Sequence, residues 1–583
     1  MNDGKILVVP CVETGRGGGH FTRSVNLVQN LRSSGCNAKV FIKHFRPELI
    51  DLSGEDILTT EAENDIKYII LDRFRTPLNE LEYWKKIAPV IGIDEGGKRR
   101  DNFDFLIDML IPKKLAKPSA NIYSPELLNT KSMKQPDRLS RIPFSFNKEK
   151  IKVLISFGQE DSAGLGIKSA KMLSSINNKD FDITLICGRL ASAKAHDLPF
   201  VRTLDAIPNL AEHLFEYDLV ITHYGITAYE ALFASVQVVL LSPTPYHKKL
   251  ARAAGFYHLQ NVRKLNINKI LQHYKNSSLK NIIYSDNKPS ISFAELCAGF
   301  SLHVNRQCPL CNANIPKRSI ARFNDRTFRK CKRCGIIYMD RLTPAPIEYE
   351  KEYFFNSYKK QYGKTYLEDF NSIKESGIRR IKEIKKIMKK NPQNNSLLDI
   401  GCAYGPFLSA AKEQGFNPTG IEPAEDAVNY VIEKLGIPVI HSTFPLKSHK
   451  ITSSFDVITL WYVIEHFSDC ASIYTEIKKI LKPGGMLAFS TPSYSGISGR
   501  KNIKTFLFAS PADHYTIWSP KMVRKALKTT GFKVIKIISS GHHPSRFPVL
   551  GKFAKKKNFV YLLLSALSRF FKLGDTFEVY ARY

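Results

Sequence analysis

Residues 397–407, LLDIGCAYGPF, decide how the C-terminal part of the chain folds. The apolar run at its start is typical of a buried parallel strand, and the glycines that follow open a helix that Gly415 ends. About twenty residues after this loop, Glu422 closes a second strand. Glycines at a strand end let the backbone approach a ligand, and a carboxylate on the next strand can accept ribose hydroxyls. This geometry predicts a nucleoside-containing cofactor, and by itself it also suits NAD.

Three further features favour S-adenosylmethionine: an acidic residue before the first glycine, the strand pattern FDVITLWYVIEHF, and LKPGG before the strand MLAFSTP. With them, the chain from about residue 395 to its end resembles the class I S-adenosylmethionine-dependent methyltransferases. The resemblance implies that the acidic-glycine loop holds the methionine part and the second-strand carboxylate holds the ribose. Position 403, usually glycine in that family, is alanine. The implied cofactor residues are Asp399, Gly401, Ala403, Gly405 and Glu422.

The composition indicates a multidomain globular protein. At 583 residues the chain is too long for one core, and its 43% hydrophobic and 24% charged residues are ordinary for folded proteins. No stretch reaches the roughly 18 uncharged apolar residues that a membrane span needs. The N-terminal MNDGKILVVPCV has neither the long apolar region nor the cleavage site of a signal peptide. We therefore expect a cytoplasmic protein.

The chain is strongly basic, with 86 Lys and Arg against 54 Asp and Glu and a formal net charge of +32. Such a charge favours anionic partners such as nucleotides, nucleic acid or anionic lipid. No RNA-binding motif is present, so nucleic acid is not the expected main partner. The basic helical pattern at 373–390 leaves open a peripheral contact with an anionic lipid carrier.

The alternation of strand-like and helical patterns predicts two successive α/β halves, residues 1–148 and 149–290. The first begins with the strand KILVVPCV, the glycine loop ETGRGGGH and a helix, and continues with strands such as YIILD and VIGID. The second contains the strands VLISFG, ITLICG, LVITHYG and VVLLSP. The first loop lacks the third glycine of a dinucleotide fingerprint, and the next strand ends without a carboxylate. A second dinucleotide site is therefore not expected.

GRGGGHFTR, VLISFGQED and HYGITAYEALFASVQVVLL give residues 5–260 a resemblance to the GT-B nucleotide-sugar enzymes. Members that this part of the chain resembles are the UDP-sugar hydrolase of pseudaminic-acid synthesis and the lipid-linked N-acetylglucosaminyltransferase of peptidoglycan assembly. The resemblance implies a UDP-sugar ligand, a catalytic His20 beside the sugar–phosphate bond, and Glu230 on the uridine ribose. HYGIT departs from the family, which commonly has a second glycine before the threonine. The implied substrate-binding residues are Gly17, Gly19, Gly225, Thr227 and Glu230.

Residues 291–345 are predicted to be a linker and a zinc ribbon. Cys308 and Cys311 form one knuckle, and Cys331 and Cys334 form a second after nineteen intervening residues. Four thiolates at this spacing suit structural Zn²⁺ and leave no open coordination position, although spacing alone also permits iron. A ribbon directly before a methyltransferase resembles the zinc-containing sugar methyltransferases.

In the predicted methyltransferase domain, residues 346–583, two histidines are candidate bases. His466 follows the fourth strand and His514 the fifth, and either could deprotonate a sugar hydroxyl that attacks the methyl group. The overall prediction is a GT-B-like pair of Rossmann-like domains, a zinc ribbon and a class I methyltransferase. Such a protein would hydrolyse or transfer a nucleotide-activated sugar and methylate a sugar or glycan. The alternatives are an RNA or protein methyltransferase, and an N-terminal half that binds nucleotide-sugar without turnover.

Overall fold

The computed structural model of the protein forms two compact units, residues 1–302 with 322–325, and residues 303–321 with 326–583. Gly17 and the predicted domain boundary at 148/149 lie outside the described residues. The described residues are 4–12, 19–43, 57–61, 64–128, 150–158, 161–175, 181–188, 198–205, 207, 209–276, 291–345, 355–356, 358–389, 394–446, 454–555 and 558–583.

The first unit begins with a parallel seven-stranded sheet. Its strands are β1 Lys5–Pro10, β2 Ala38–Phe41, β3 Leu58–Thr59, β4 Ile66–Asp72, β5 Val90–Ile93, β6 Phe105–Asp108 and β7 Ile122–Tyr123, and its helices are α1 Gly19–Ser33 and α2 Leu78–Ile87. The spatial order is β3-β2-β1-β4-β5-β6-β7. Val25, Val28 and Leu31 of α1 are buried, as their helical spacing predicts. The strand order reverses between β1 and β4, which opens a crevice at their carboxyl ends.

A second parallel sheet, in the order β10-β9-β8-β11-β12-β13, completes the first unit. Its strands are β8 Ile151–Ser156, β9 Phe181–Ile186, β10 Val201–Leu204, β11 Leu219–Thr222, β12 Gln237–Leu241 and β13 His258–Leu259. The helices are α3 Leu165–Ser174, α4 Leu210–His213, α5 Ile226–Phe233, α6 Pro245–Ala254, α7 Ile267–Asn276 and α8 Phe293–Ala298. Here the order reverses between β8 and β11, so this half also has a crevice at its strand ends.

The second unit contains a small sheet, β14-β15-β16-β22, and a larger sheet, β19-β18-β17-β20-β21-β24-β23. The strands are β14 Ser319–Phe323, β15 Arg326–Lys330, β16 Ile337–Arg341, β17 Ser396–Ile400, β18 Asn417–Glu422, β19 Val439–His441, β20 Phe455–Trp461, β21 Leu481–Pro492, β22 Thr516–Ile517, β23 Lys533–Ser540 and β24 Thr576–Arg582. The helices are α9 Tyr358–Tyr362, α10 Phe370–Met388, α11 Pro406–Glu413, α12 Glu425–Tyr430, α13 Cys470–Ile480, α14 Ile497–Lys501, α15 Ile503–Ala509, α16 Pro520–Thr529 and α17 Phe559–Phe570.

The larger sheet is parallel except for β24, which runs antiparallel to both β21 and β23. Its order reverses between β17 and β20, and the loop at 401–405 follows the first of these strands. Helix α10 covers the sheet with Ile381 and Ile384, while its buried Arg380 pairs with Glu578 of β24. Among the described residues, no helix is long and apolar enough to cross a membrane.

Candidate functional site

The glycine loop after β17 has a backbone that only small residues tolerate. Gly401 has a φ of +73°, and a Cβ there would lie 2.6 Å from Cγ2 of Val463, so any side chain would clash. Ala403 also has a positive φ, +48°, which costs an L-residue about 1–2 kcal/mol. Glycine avoids this cost, which explains why alanine is an unusual choice at this position. The positive φ of Gly405, +76°, lets α11 begin directly behind the loop.

Glu422 ties the second strand to this loop. Its Oε2 accepts the Ala403 N–H at 2.8 Å, and its Oε1 accepts the Ala424 N–H at 3.1 Å. Burial raises the pKa of this carboxyl, and the two backbone hydrogen bonds oppose the shift. A carboxylate has about four acceptor positions, so two remain after these bonds. Glu422 therefore has the capacity to accept two hydroxyl groups.

Asp399 lies deeper than the loop. Its side chain is 2% exposed, and its Oδ1 accepts the Thr459 hydroxyl at 2.6 Å, which links β17 to β20. Burial raises its pKa to about 7. In this conformation Asp399 bridges the two strands at the switch point, directly before the loop that it was predicted to serve.

An aromatic cluster packs on the outer side of the loop. Tyr404 of the loop contacts Phe355, Tyr366 and Tyr430 with ring centroids 5.3–6.2 Å apart. Burial raises the pKa of Tyr366, and nearby Tyr358, Asp399 and Glu422 add to the shift. Tyr366 is therefore close to both carboxylates of the predicted cofactor site. Phe355, Tyr366 and Tyr430 thus pack against Tyr404 of the loop, next to the predicted cofactor site.

His466 belongs to the turn that follows β20, at the other side of the switch point. Its Nδ1 lies 2.8 Å from Oδ2 of Asp513. The same turn contains Val463, whose Cγ2 lies 2.6 Å from where a Cβ of residue 401 would be, and the His466 N–H donates to the Val463 carbonyl at 3.0 Å. These contacts place the histidine–carboxylate pair beside the glycine loop.

His514 packs against His466 with ring centroids 4.8 Å apart and nearly perpendicular planes. Burial lowers the pKa of His514 to about 3, and the charge of His466 adds to this effect. Burial alone would also lower the pKa of His466, but the Asp513 hydrogen bond and the charge of Glu465 raise it overall. His466 is therefore the stronger base of the pair. Glu465, His466 and His514 also offer ligand atoms within 4.8 Å of one another, which is the composition of a cation site.

The four cysteines of the predicted ribbon converge on one point. Sγ of Cys308 lies 3.6 Å from Sγ of Cys334, and Sγ of Cys311 lies 3.6 Å from Sγ of Cys331. Tetrahedral Zn²⁺ with Zn–S bonds of about 2.3 Å requires S···S edges of about 3.8 Å, whereas a disulfide needs about 2.05 Å. The donor set and its spacing therefore fit zinc.

Both knuckles have the same backbone geometry. In each, the first cysteine N–H donates to the carbonyl five residues later, and its own carbonyl accepts from the fourth residue after it, at 2.8–3.0 Å. Those fourth residues, Asn312 and Gly335, both have positive φ angles. Asparagine and glycine are the residues that most readily adopt this conformation, so each knuckle carries the turn residue it needs.

The segment that carries the four cysteines, residues 303–341, is called the cysteine module here, and it shares its apolar core with the larger sheet of the second unit. Cys308, Cys331 and Cys334 are buried in the same apolar cluster as Leu398 and Ile458. The Pro309 carbonyl accepts the Ala471 N–H at 2.8 Å at the start of α13, and β16 pairs with β22, two residues beyond His514. The module therefore supports both chain segments that carry the His466–Asp513 pair.

In the first unit, His20 stands at the start of α1 above the crevice between β1 and β4. Its Nδ1 lies 2.7 Å from Oδ1 of Asp72, and Arg23 donates to both oxygens of Asp72 and to Asp94. Burial would raise the pKa of Asp72, but Arg23 and His20 hold it well below its usual range. An ionised carboxylate only accepts hydrogen bonds. His20 Nδ1 must therefore be the donor, which in the neutral imidazole puts the lone pair on Nε2.

His20 lines a cavity of about 530 Å³ between the two sheets of the first unit. Gly19, Gly225 and Thr227 line it too, so the structure brings these four predicted residues together. Glu230 lies in the second turn of α5 and is not among the described lining residues. Burial raises its pKa to about 7.

Sequence reasoning missed several residues of these sites. Asp72 and Asp94 are the last residues of the predicted strands YIILD and VIGID, so a carboxylate at the end of a strand was the signal that could have identified them. Asp513 and Glu465 are direct neighbours of the two predicted histidines. His223 and His247, with ring centroids 5.7 Å apart, also line the cavity.

Residues 375–537 match the family model described as "Methyltransferase domain". The matched segment contains the glycine loop, Glu422 and the His466–Asp513 pair. The chain thus contains a class I S-adenosylmethionine-dependent methyltransferase domain, as its sequence predicts.

Individual relatives match only part of the chain. The uncharacterized protein MJ1062 of Methanocaldococcus jannaschii is 25% identical over 46% of this chain and 61% of its own length. The ubiquinone biosynthesis O-methyltransferase of Hydrogenovibrio crunogenus is 28% identical over 24% of this chain and 57% of its own. The chain thus spans about three fifths of the length of these curated relatives. A solved methyltransferase from Archaeoglobus fulgidus is 17% identical, with a TM-score of 0.28, and covers 40% of this chain and all of its own.

Proposed function

We propose that the second unit transfers a methyl group from S-adenosylmethionine to a sugar hydroxyl. The observation that carries this proposal is the close approach of the His466 turn to the glycine loop, where Val463 fills the space beside Gly401. The proposal is supported by the position of Glu422 beside that loop and of the His466–Asp513 pair after β20, across the switch point from it. The relatives named as ubiquinone biosynthesis O-methyltransferases support oxygen as the methylated atom. The sugar rests on the resemblance to zinc-containing sugar methyltransferases.

In this proposal each residue has one task. The cofactor supplies an electrophilic methyl group on a sulfonium. Glu422 accepts the ribose hydroxyls, and the small residues at 401–405 let the methionine part lie against the loop. The Nδ1–H of His466 donates to Asp513, which puts the lone pair on Nε2, where it takes the acceptor's proton as the oxygen–carbon bond forms and the carbon–sulfur bond breaks. Asp513 stabilises the resulting imidazolium.

The test compares His466→Ala with His514→Ala in a single-turnover assay of S-adenosylhomocysteine formation. We expect His466→Ala to lose about 10²–10⁴ in rate with S-adenosylmethionine affinity unchanged, and His514→Ala to lose much less. Equal rates for wild type and His466→Ala would contradict the assignment. Full activity without added divalent cation would show that His466 acts as a base and not as a ligand of a cation bound by Glu465, His466 and His514.

We further propose that the first unit hydrolyses a UDP-activated sugar, because His20 lines its cavity and is oriented by Asp72. His20 Nε2 would take a proton from water as that water attacks the anomeric carbon and the carbon–oxygen bond to the diphosphate breaks. UDP is the second product. A transferase would need an acceptor instead of water, and a binding module would release no UDP at all.

UDP release distinguishes these functions. Wild type should release UDP without an acceptor, and His20→Gln should bind the UDP-sugar normally while losing about 10²–10⁴ in rate. Release only with an acceptor would establish a transferase, and binding without release would establish a binding module.

A further inference from the structure

Helix α17 presents an apolar face to solvent. Phe559 is 77% exposed, Leu562 60% and Phe570 79%, and Leu563 and Ala566 are exposed between them. These residues recur at helical spacing and so form a single stripe. The opposite face contains Leu564, 1% exposed, and the fully buried Ser568, whose hydroxyl lies 2.7 Å from Nδ1 of His542. The helix is thus anchored by its inner face, and its outer apolar stripe contributes nothing to the core.

The turn before α17 extends this surface. Val549, Leu550 and Phe553 are 76%, 52% and 62% exposed. The Asn558 side chain fixes the turn to the helix, because its Oδ1 caps the Tyr561 N–H at 2.8 Å and its Nδ2 donates to the Phe553 carbonyl at 2.7 Å. We call Val549, Leu550, Phe553, Phe559, Leu562, Leu563, Phe570 and Phe571 the C-terminal apolar patch. Contiguous exposed apolar surfaces of this kind mark interaction sites.

All the charged residues in the segment that contains the patch are basic. Residues 545–572 contain five lysines and two arginines and no aspartate or glutamate. Lys552, Lys555, Arg569 and Lys572 are exposed, and within the described part of the chain none of them forms an ion pair. An apolar face bordered by unneutralised cations matches the interface of an anionic lipid bilayer, where acyl chains lie beneath negative headgroups. A protein partner would need an acidic rim around an apolar centre, a less direct match.

We propose that the C-terminal apolar patch docks this protein peripherally on a membrane that contains anionic lipids. Twelve residues give α17 a length of about 18 Å, against about 30 Å for the hydrocarbon core, so the helix lies in the interface plane. The proposal moves the lipid contact from α10, whose apolar face is buried against the sheet, to α17. It does not depend on either proposed enzymatic activity.

The test is co-sedimentation of the full chain with vesicles of phosphatidylcholine alone or with about one third phosphatidylglycerol. Wild type should bind the anionic vesicles, and the double variant Leu562→Glu/Phe570→Glu should lose at least tenfold in partition coefficient. Lys552→Ser/Lys555→Ser should lose several-fold and flatten the salt dependence. Phe200→Glu in the first unit is the matched control, because Phe200 is 62% exposed and lies outside the patch, and it should bind like wild type.

Two results would overturn the proposal. One is vesicle binding by wild type that the Leu562→Glu/Phe570→Glu variant retains. The other is absence of wild-type binding to the anionic vesicles. If wild type is then an oligomer that this variant converts to monomer, the patch is a protein interface. An unchanged circular dichroism spectrum and urea-unfolding midpoint in the variant show that it is folded, so a loss of vesicle binding is specific.

Discussion

Replacing Glu422 by glutamine is the sharpest perturbation of the predicted cofactor site. The carboxylate accepts one backbone N–H on each oxygen, from Ala403 and from Ala424. An amide has one oxygen and one NH₂ group, so whichever way it turns, its NH₂ faces a backbone donor. The variant therefore loses one charge-assisted hydrogen bond and one oxygen for the ribose, while its volume hardly changes.

Hydrogen bonds to charged groups contribute about 1.5–3 kcal/mol each. Loss of the ribose contact should therefore raise the Kd for S-adenosylmethionine about 10- to 100-fold. Loss of the backbone contact should lower the free energy of unfolding of the unliganded protein by a similar amount. Isothermal titration calorimetry gives the first quantity and urea unfolding the second.

The matched control is Glu425→Gln, because Glu425 is exposed in the first turn of α12, three residues away. It should change neither quantity by more than a few tenths of a kcal/mol. Unchanged affinity in Glu422→Gln would remove this residue from the cofactor site. An equal loss in Glu425→Gln would show that only net charge matters.

Three further predictions follow from the same geometry. Asp513→Asn removes the negative charge that helps to raise the pKa of His466 and leaves at most a neutral hydrogen-bond acceptor. The acid limb of the pH–rate profile should therefore move to lower pH while the plateau rate falls, and an unmoved limb would mean that another group titrates. Cys331→Ser should lower the zinc content found by elemental analysis and also slow methyl transfer, because the cysteine module supports the His466 and Asp513 segments. Cys36→Ser is the control and should leave the zinc content unchanged. Full zinc occupancy in Cys331→Ser would refute the four-cysteine site. Ala403→Gly should change the free energy of unfolding by between 0 and about +1.5 kcal/mol, since relief of the positive φ is partly offset by greater unfolded-state entropy. A decrease in that free energy above about 1 kcal/mol, measured by urea unfolding, would show that the Ala403 backbone is not strained.

Local sequence patterns were sufficient for the elements that surround the sites. Apolar runs ending in glycine or a carboxylate predicted β17, β4 and β5, because a buried parallel strand must be continuously apolar and its carboxyl end is where polar groups begin. The cysteine spacing predicted the cluster for a similar reason, since each knuckle is a local turn.

Pairings between distant segments were not accessible in this way. Asp72 reaches His20 from 52 residues away, and Asp513 reaches His466 from 47 residues away. Both contacts depend on strand order, which single-sequence periodicity does not encode. For Glu230 the sequence predicts the helix correctly but not the direction of the side chain, so it does not determine whether Glu230 lines the cavity. The patch on α17 was also missed, since a helical stripe of apolar residues ordinarily predicts a buried face.

Sugar methylation by the purified full chain is the most direct test of the proposed methyl transfer. Mass spectrometry of UDP-sugars, and of the sugars released from them, after incubation with S-adenosylmethionine should show a new species heavier by one methylene. It should form together with S-adenosylhomocysteine and be absent with His466→Ala. Binding of S-adenosylmethionine without any methylated sugar, but with methyl transfer to RNA or protein under the same conditions, would contradict the proposed substrate. No binding of S-adenosylmethionine at all would contradict the assignment of the site.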